Sequence, residues 1–450
     1  MKNIKFIRII LVAMITATVF TACRFEDDDY FDESAALRIE HKAEDVQSIL
    51  VNAPNGWVMQ YFCGRGTAVF EGFNLFAKFE NSGKVTIAGN HRYLRDGNAN
   101  KYTESSSLYE MLKEEGLVLS FNTWNDVLTP FVDPVSPWQA PGTLVKDGAG
   151  MEGDQNLVIM SYNDNEIILR GERHGAEVRL VAADRSWADY IADTQEMKNY
   201  ITNSTITSYY VTNSADTLYF VGLGNGRFRY CDRVDNPLKM DSLSCCFTPQ
   251  GFRLEKEDTI GSTTLGSNKF HEFTLADDKS CLVNEDGTVK VIPTWDNYIV
   301  NRTAVWNFDT AQFSAEQKSL FEQIDAELKK YNKNCSLASI GLGKSSGRNS
   351  VLGLVITFYT NTAKTKTNTA GLALSFNRVA YGQMQIVSSA DDKADSNLEA
   401  IGKTTEIESL ARAFAATLNG IYEMTPDNYF LPTGGVFTAI NGGTTFTLVK

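Results

Sequence analysis

Four stretches of the chain repeat apolar residues every three or four positions, the spacing that gathers them on one face of a helix. Over residues 33–52 the stripe is Ile39, Ala43, Val46 and Leu50, with Asp32 or Ser34 able to cap the start and Pro54 and Gly56 to stop it. A second stretch, about 185–201, places Trp187, Tyr190, Ile191, Thr194 and Ile201 on one side. The third opens with Ser314-x-x-Gln317, a capping-box pattern, and carries Leu320, Ile324, Leu328 and Tyr331. The fourth repeats that device as Thr405-x-x-Glu408, with Ile407, Leu410, Phe414 and Leu418 inward. One apolar stripe per helix predicts packing against a sheet.

Between these stretches the pattern shortens to period two, broken by Gly, Asn and Asp. Phe73–Phe79 and Lys84–Ile87 flank Glu80-Asn81-Ser82-Gly83 as a hairpin, and Leu157–Tyr162, Glu166–Arg170 and Ala176–Val181 form a meander. Leu218–Val221 with Arg227–Tyr230, and Ser280–Val283 with Thr288–Ile292, turn at glycine-containing segments. Leu352–Tyr359 is expected to pair with Leu372–Phe376 across the polar stretch 360–369, and Gly435–Ile440 with Thr444–Val449. The fold expected is α+β and β-rich: antiparallel meander sheets or partial barrels, each packed by an amphipathic helix. A helix, hairpins and a three-strand ending occur over about 33–182 and recur over about 314–450, an order that would fit an internal duplication.

The N-terminus breaks this pattern. Lys2, Lys5 and Arg8 precede an apolar run from Ile9 to Phe20, then Thr21, Ala22 and Cys23. That is the layout of a secretory leader, and the run falls short of the roughly 20 residues a spanning helix needs. Phe20-Thr21-Ala22-Cys23 resembles the lipobox of bacterial lipoproteins, with Phe where Leu is commoner. It predicts that Cys23 becomes the acylated first residue, so the membrane is reached through a lipid anchor. The acidic run Glu26-Asp27-Asp28-Asp29 then reads as a solvated tether. The organisation expected is a leader over 1–22, a tether over 23–32, an α+β domain over 33–184, a β-rich middle domain over 185–300 and an α+β domain over 301–450.

Charge and composition narrow the function. Losing the three basic leader residues takes the net charge from −13 to −16, which excludes nucleic acid as a natural partner and disfavours anionic polymers. Six cysteines follow Cys23, at 63, 231, 245, 246, 281 and 335. They contain no C-x-x-C pair and read as small buried residues, with room for one bridge among the positions from Cys231 to Cys281. No set of residues has the spacing of a metal or cofactor site, so none is expected. His41-x-x-Glu44 lacks a third ligand, Asn284-Glu285-Asp286-Gly287 lacks the calcium-loop series, and Gly341-Leu342-Gly343-Lys344-Ser345 has the wrong spacing for a phosphate loop and reads as a turn. The carboxylates do not single out a catalytic pair. The best ligand-binding candidates are the aromatics of the long segment 124–151, namely Trp124, Phe131 and Trp138.

Several ordered motifs carry a family resemblance. Phe31-Asp32-Glu33-Ser34, Leu37-Arg38 and Asn55-Gly56-Trp57 are followed by Asp133-Pro134 and Gly150-Met151-Glu152-Gly153-Asp154. Ile167-Ile168-Leu169-Arg170-Gly171 and Phe247-Thr248-Pro249-Gln250-Gly251-Phe252 come next. Together the chain to about residue 255 resembles a family of uncharacterised surface lipoproteins of Bacteroides-type bacteria, while the C-terminal third matches loosely. The resemblance implies an outer-membrane location facing the cell exterior, beside nutrient-uptake proteins of the SusC and SusD type, and supplies no catalytic residues. The function expected is an accessory lipoprotein that binds or presents a glycan or peptide to a transporter. A surface hydrolase is the alternative, which a cleft with paired carboxylates would favour. A structural envelope partner is the other, which a large exposed apolar patch would favour.

Overall fold

The computed structural model describes residues 33–450 except 65–69, 115, 136–149, 204–207, 214–216, 223–225, 232–240, 256–270, 295–303 and 381. No helix among the described residues is long and apolar enough to cross a membrane. Cys23 and the leader lie outside the described residues, as does Trp138.

The first sheet has nine strands: β1 (Trp57–Phe62), β2 (Phe73–Phe79), β3 (Lys84–Gly89), β4 (Thr103–Leu108), β5 (Glu110–Lys113), β6 (Leu117–Ser120), β7 (Asn156–Tyr162), β8 (Glu166–Gly171) and β9 (Glu177–Ala182). Their order is β4-β3-β2-β1-β9-β8-β7-β6-β5, antiparallel throughout. Only Tyr109 separates β4 from β5, yet these are the two edges. Alternate Cα atoms lie within about 7.6 Å of each other, so the sheet must curl until its edges meet. Helix α1 (Ala35–Asn52) fills the roll, burying Ala43, Val46 and Leu50 against the strands. Ser34 caps it by accepting the Leu37 N–H, as the sequence predicts.

The second body is a closed eight-stranded barrel in plain meander order. Its strands are β10 (Ser208–Thr212), β11 (Thr217–Val221), β12 (Arg227–Cys231), β13 (Asp241–Thr248), β14 (Gly251–Leu254), β15 (Glu272–Leu275), β16 (Leu282–Asn284) and β17 (Lys290–Pro293). Closure comes from β10 pairing with β17, which removes both edges. Its interior is packed with Val211, Phe220, Phe228, Phe252, Phe273 and neighbours, so it is a core and not a pore.

The third body repeats the first. Strands β18 (Trp306–Phe308), β19 (Ser336–Lys344), β20 (Leu352–Tyr359), β21 (Thr367–Ala373), β22 (Ser375–Ala380), β23 (Gln383–Val387), β24 (Gly420–Pro426), β25 (Gly434–Gly442) and β26 (Phe446–Val449) take the order β21-β20-β19-β18-β26-β25-β24-β23-β22. Counted from its own first strand, this is the order of the first sheet, and again one residue, Leu374, separates the two edge strands. The recurrence read from the sequence therefore has a topological counterpart, starting earlier, at Trp306. The helix differs in position: α1 precedes its sheet, whereas the helix Ala315–Tyr331 lies between the first and second strands. That helix has the capping box, with Gln317 N–H donating to Ser314 Oγ and the Gln317 side chain accepting the Ser314 N–H.

Three expectations need correction. The Thr405–Glu408 capping box does not form: the last long helix runs Ile407–Ala416 from Glu406, and the Thr405 hydroxyl donates to the Ile401 carbonyl and accepts the Ile407 N–H at 3.4 Å, not that of Glu408. Gly341 and Gly343 lie inside β19, where a side chain at Gly341 would overlap the Trp306 carbonyl, so the glycines serve close strand approach and not a turn. The described cysteines at 63, 245, 246, 281 and 335 are all free and buried, so none of them forms the expected bridge. The Cys231 side chain lies outside what is described.

Candidate functional site

The first sheet and the barrel meet along one seam. Gly72 N–H donates to the Cys245 carbonyl at 3.0 Å, the Asn74 amide to the Phe247 carbonyl at 2.7 Å, and Ser244 Oγ to the Phe70 carbonyl. Gly72 is required there, because a Cβ would run into the Phe62 ring and lie 2.9 Å from the Cys246 Cβ. The linking helix, α2 of the bodies in this corner (Trp187–Ile201), starts at Ser186, whose hydroxyl accepts the Asp189 N–H. It packs Trp187, Tyr190 and Ile191 against Val58, Phe76 and Ala88 on the outer face of the first sheet.

These three elements enclose a cleft of about 790 Å³. One wall is Glu71, Gly72, Asn74 and Phe76 with the loop residues Asn90, Arg92 and Asn100. The second is the helix stripe Tyr190, Ile191, Thr194, Gln195 and Lys198, at the three-and-four spacing of a single face. The third is the barrel's outer surface, with Arg227, Arg229 and Ser242. Arg227 and Arg229 alternate with Phe228, which points into the barrel, so both arginines stand on the outward face.

Among the described residues that line this cleft, Asn74 Oδ1 and Thr194 Oγ1 are buried polar atoms without a hydrogen-bond partner. Both are buried, and leaving such groups unmatched costs about 1–3 kcal/mol each. The residues that carry them line a space sized for a small ligand, since such pockets run to roughly 300–1,000 Å³. Glu71 is the one carboxylate among the described lining residues, and Arg92 holds it at 2.7 Å.

His91 also borders the cleft but is only 8 % exposed, its ring edge-on to Phe73 and tilted against Phe131. Tyr93 N–H donates to its Nδ1, which puts the ring proton on Nε2, donating to the Val127 carbonyl at 2.9 Å. Burial holds its pKa down at about 4, so the ring is neutral near pH 7, with its Nδ1 lone pair taken by Tyr93 N–H and its Nε2 proton by Val127. Burial also pushes the Tyr190 hydroxyl above its ordinary value, keeping it a neutral donor. The described lining thus offers neither a paired carboxylate nor an available base; its groups can bind and orient.

The aromatics singled out in the sequence part company. Phe131 is fully buried in the first core. Trp124 is 52 % exposed, its indole N–H donating to Asp126 at 2.7 Å and the Arg95 guanidinium 5.2 Å from its ring centre. A second hollow of about 550 Å³ lies against the neighbouring stripe of the helix, where Asp193 is ion-paired with Arg185. Among the described residues no cluster of three or more His, Cys, Asp or Glu could hold a metal ion. The sequence pattern took the Tyr190–Thr194 stripe for packing alone; its signal was the short hydroxyl side chain of Thr194 among larger residues on that face.

The sequence profile of DUF4302, a domain of unknown function, matches residues 27–275, more than half of the chain. The chain belongs to that family, and every cleft residue lies within the matched region. No curated protein matches it. Among solved structures, the Helicobacter pylori β clamp bound to a DNA ligase peptide is 9 % identical, with 91 % of this chain and 97 % of that one covered and a TM-score of 0.12. The DNA polymerase III β subunit of Pseudomonas aeruginosa is 8 % identical, covering 92 % and 97 %, with a TM-score of 0.13. Scores this low carry no argument about fold or function.

Proposed function

We propose that this member of the DUF4302 family is a lipid-anchored accessory protein of the outer membrane of Bacteroides-type bacteria, facing the cell exterior. It binds a glycan or peptide non-covalently and presents it to a transporter of the SusC and SusD type. The observation that carries the binding step is the cleft between the first sheet, the linking helix and the barrel, in which Asn74 Oδ1 and Thr194 Oγ1 lack partners. A bound hydroxyl or amide would supply the missing hydrogen bonds. The side-chain amides of Asn90, Asn100 and Gln195 along the rim add donors and acceptors suited to a polar ligand. Anchoring rests on the lipobox resemblance at Cys23 and the acidic run after it.

The test is a glycan and peptide array on the mature chain, with a hydrolysis assay on whatever binds. Binding without turnover, weakened by Thr194→Val and unchanged by Trp124→Ala, supports capture in the cleft. Binding lost in Trp124→Ala alone moves the site to the exposed indole, and turnover replaces capture with hydrolysis. For the anchor, palmitate labelling that persists in Cys23→Ala would contradict lipidation there.

A further inference from the structure

The linking helix is held by two bodies at once. Near its start the Trp187 and Tyr190 rings each sit 5.7 Å from the Phe76 ring on the first sheet. Near its end Tyr200 meets the third body, with its ring 5.4 Å from that of Phe430 and its hydroxyl 3.4 Å from Asn428 Oδ1. Asn203, just past the helix, donates its side-chain amide to the Phe430 carbonyl. Thr194 and Lys198 of the cleft stripe lie between these two holds.

The second hold comes from behind. Tyr200 follows Thr194 by six residues, and at about 3.6 residues per turn that sets it on the far side of the helix from the stripe. There it borders the second hollow with Met197, Leu275 and Leu431. In front, Lys198 rests its ammonium 5.1 Å from the centre of the Phe247 ring on the barrel. Phe430 is fully buried, and its loop between β24 and β25 is closed by its own side chains. Asn428 Oδ1 accepts the N–H groups of Phe430 and Leu431, each at 3.0 Å, and Asp427 accepts that of Thr433 at 2.9 Å. A binding wall keeps its geometry only where the packing behind it is locked, and this closed loop supplies that packing.

We infer that the third body is part of the binding unit: Phe430 is a positioning residue that braces the linking helix through Tyr200 and so sets where Thr194 and Lys198 stand against the opposite wall. This rests on the reading that the cleft is the binding site, and it adds to that site a body that contributes none of the described lining residues. The matched family region ends at residue 275, before the third body begins.

The experiment reads the helix in the mature chain without a ligand. Nitroxide labels on Gln195→Cys in the helix and Ser106→Cys on β4 report the spread of their separation by pulsed electron resonance, in a background of Cys23→Ser and Cys231→Ser. Hydrogen–deuterium exchange reports the same helix. With no further change the labels should give one narrow distribution. Phe430→Ala should broaden it and speed exchange of the amides of Thr194–Ile201 about ten-fold. Tyr200→Phe, which keeps the ring, should leave both readouts as they are. Phe437→Ala opens a void in the third core, where that ring stacks on Phe446 at 4.8 Å, so it weakens the same body and should leave the distribution narrow. An unchanged distribution in Phe430→Ala overturns the inference. Equal broadening by Phe437→Ala also overturns it, as a general loosening of the third body, and equal broadening by Tyr200→Phe does so by placing the hold in the hydrogen bond. Silence of the glycan and peptide array would instead remove the cleft reading, and it leaves these ligand-free readouts unaffected.

Discussion

Thr194 is a residue whose stability and function should pull apart. Its hydroxyl is buried without a partner, so replacing it with the near-isosteric Val removes an unmatched polar group. Thr194→Val should leave urea stability unchanged or raise it by up to about 1 kcal/mol while weakening ligand binding. A loss of more than about 1 kcal/mol would mean the hydroxyl is satisfied in the folded protein. His91 makes the opposite kind of residue, buried for the core. Its folded pKa of about 4 lies below the unfolded value, so the unfolded chain takes up a proton first as pH falls. Its stabilising share is complete above about pH 6.5 and is lost as the pH drops towards 4, amounting to about 3 kcal/mol. A ring NMR titration should find His91 neutral down to about pH 4; titration near 6.5 would place the ring in water. His271, held at about 3 by burial and by Arg253 and Arg179, adds a second such group in the same direction.

At the scale of elements, helix ends and hairpins follow local rules, and there the sequence is most readable. The Ser314–Gln317 box forms in full, and Ser314→Ala should cost about 1 kcal/mol in urea unfolding by freeing two end donors. A change under a few tenths would contradict the cap. The look-alike at Thr405 fails because the helix begins at Ile407, and Glu408 is taken up by Arg412 at 2.8 Å, so neither half of the box is in place. Strand β4, Thr-Glu-Ser-Ser-Ser-Leu, was invisible to hydrophobic alternation because it alternates mainly exposed and half-exposed polar residues. The partner of β20 starts at Thr367, inside the expected polar link, because Asn361 closes the turn early by accepting the Thr365 N–H at 3.0 Å. Gly341 misled for a related reason: glycine marks a turn or a close approach, and only the arrival of β18 decides which.

For the whole molecule, the α+β, β-rich class was legible from period and spacing, whereas barrel closure and the site were not. Closure depends on β10 meeting β17 about 80 residues away, and the cleft on three segments whose only common feature is their final position. Trp124 stood out in the sequence because it opens a long segment between strands; Asn74 and Thr194 are unremarkable until the walls assemble. The seam that brings them together hinges on Gly72. Gly72→Ala forces the Phe62 ring aside and should cost about 1–3 kcal/mol in thermal or urea unfolding, with loss of ligand binding alongside. Unchanged stability would mean the seam is looser than its contacts imply.

The most direct test of the binding account is hydrogen–deuterium exchange on the mature chain with and without a saturating ligand from the array. Protection confined to peptides covering 70–76, 90–100, 187–201 and 226–247 is the result expected from a ligand seated in the cleft. Protection centred on the segment around Trp124, or none in the linking helix, would contradict it.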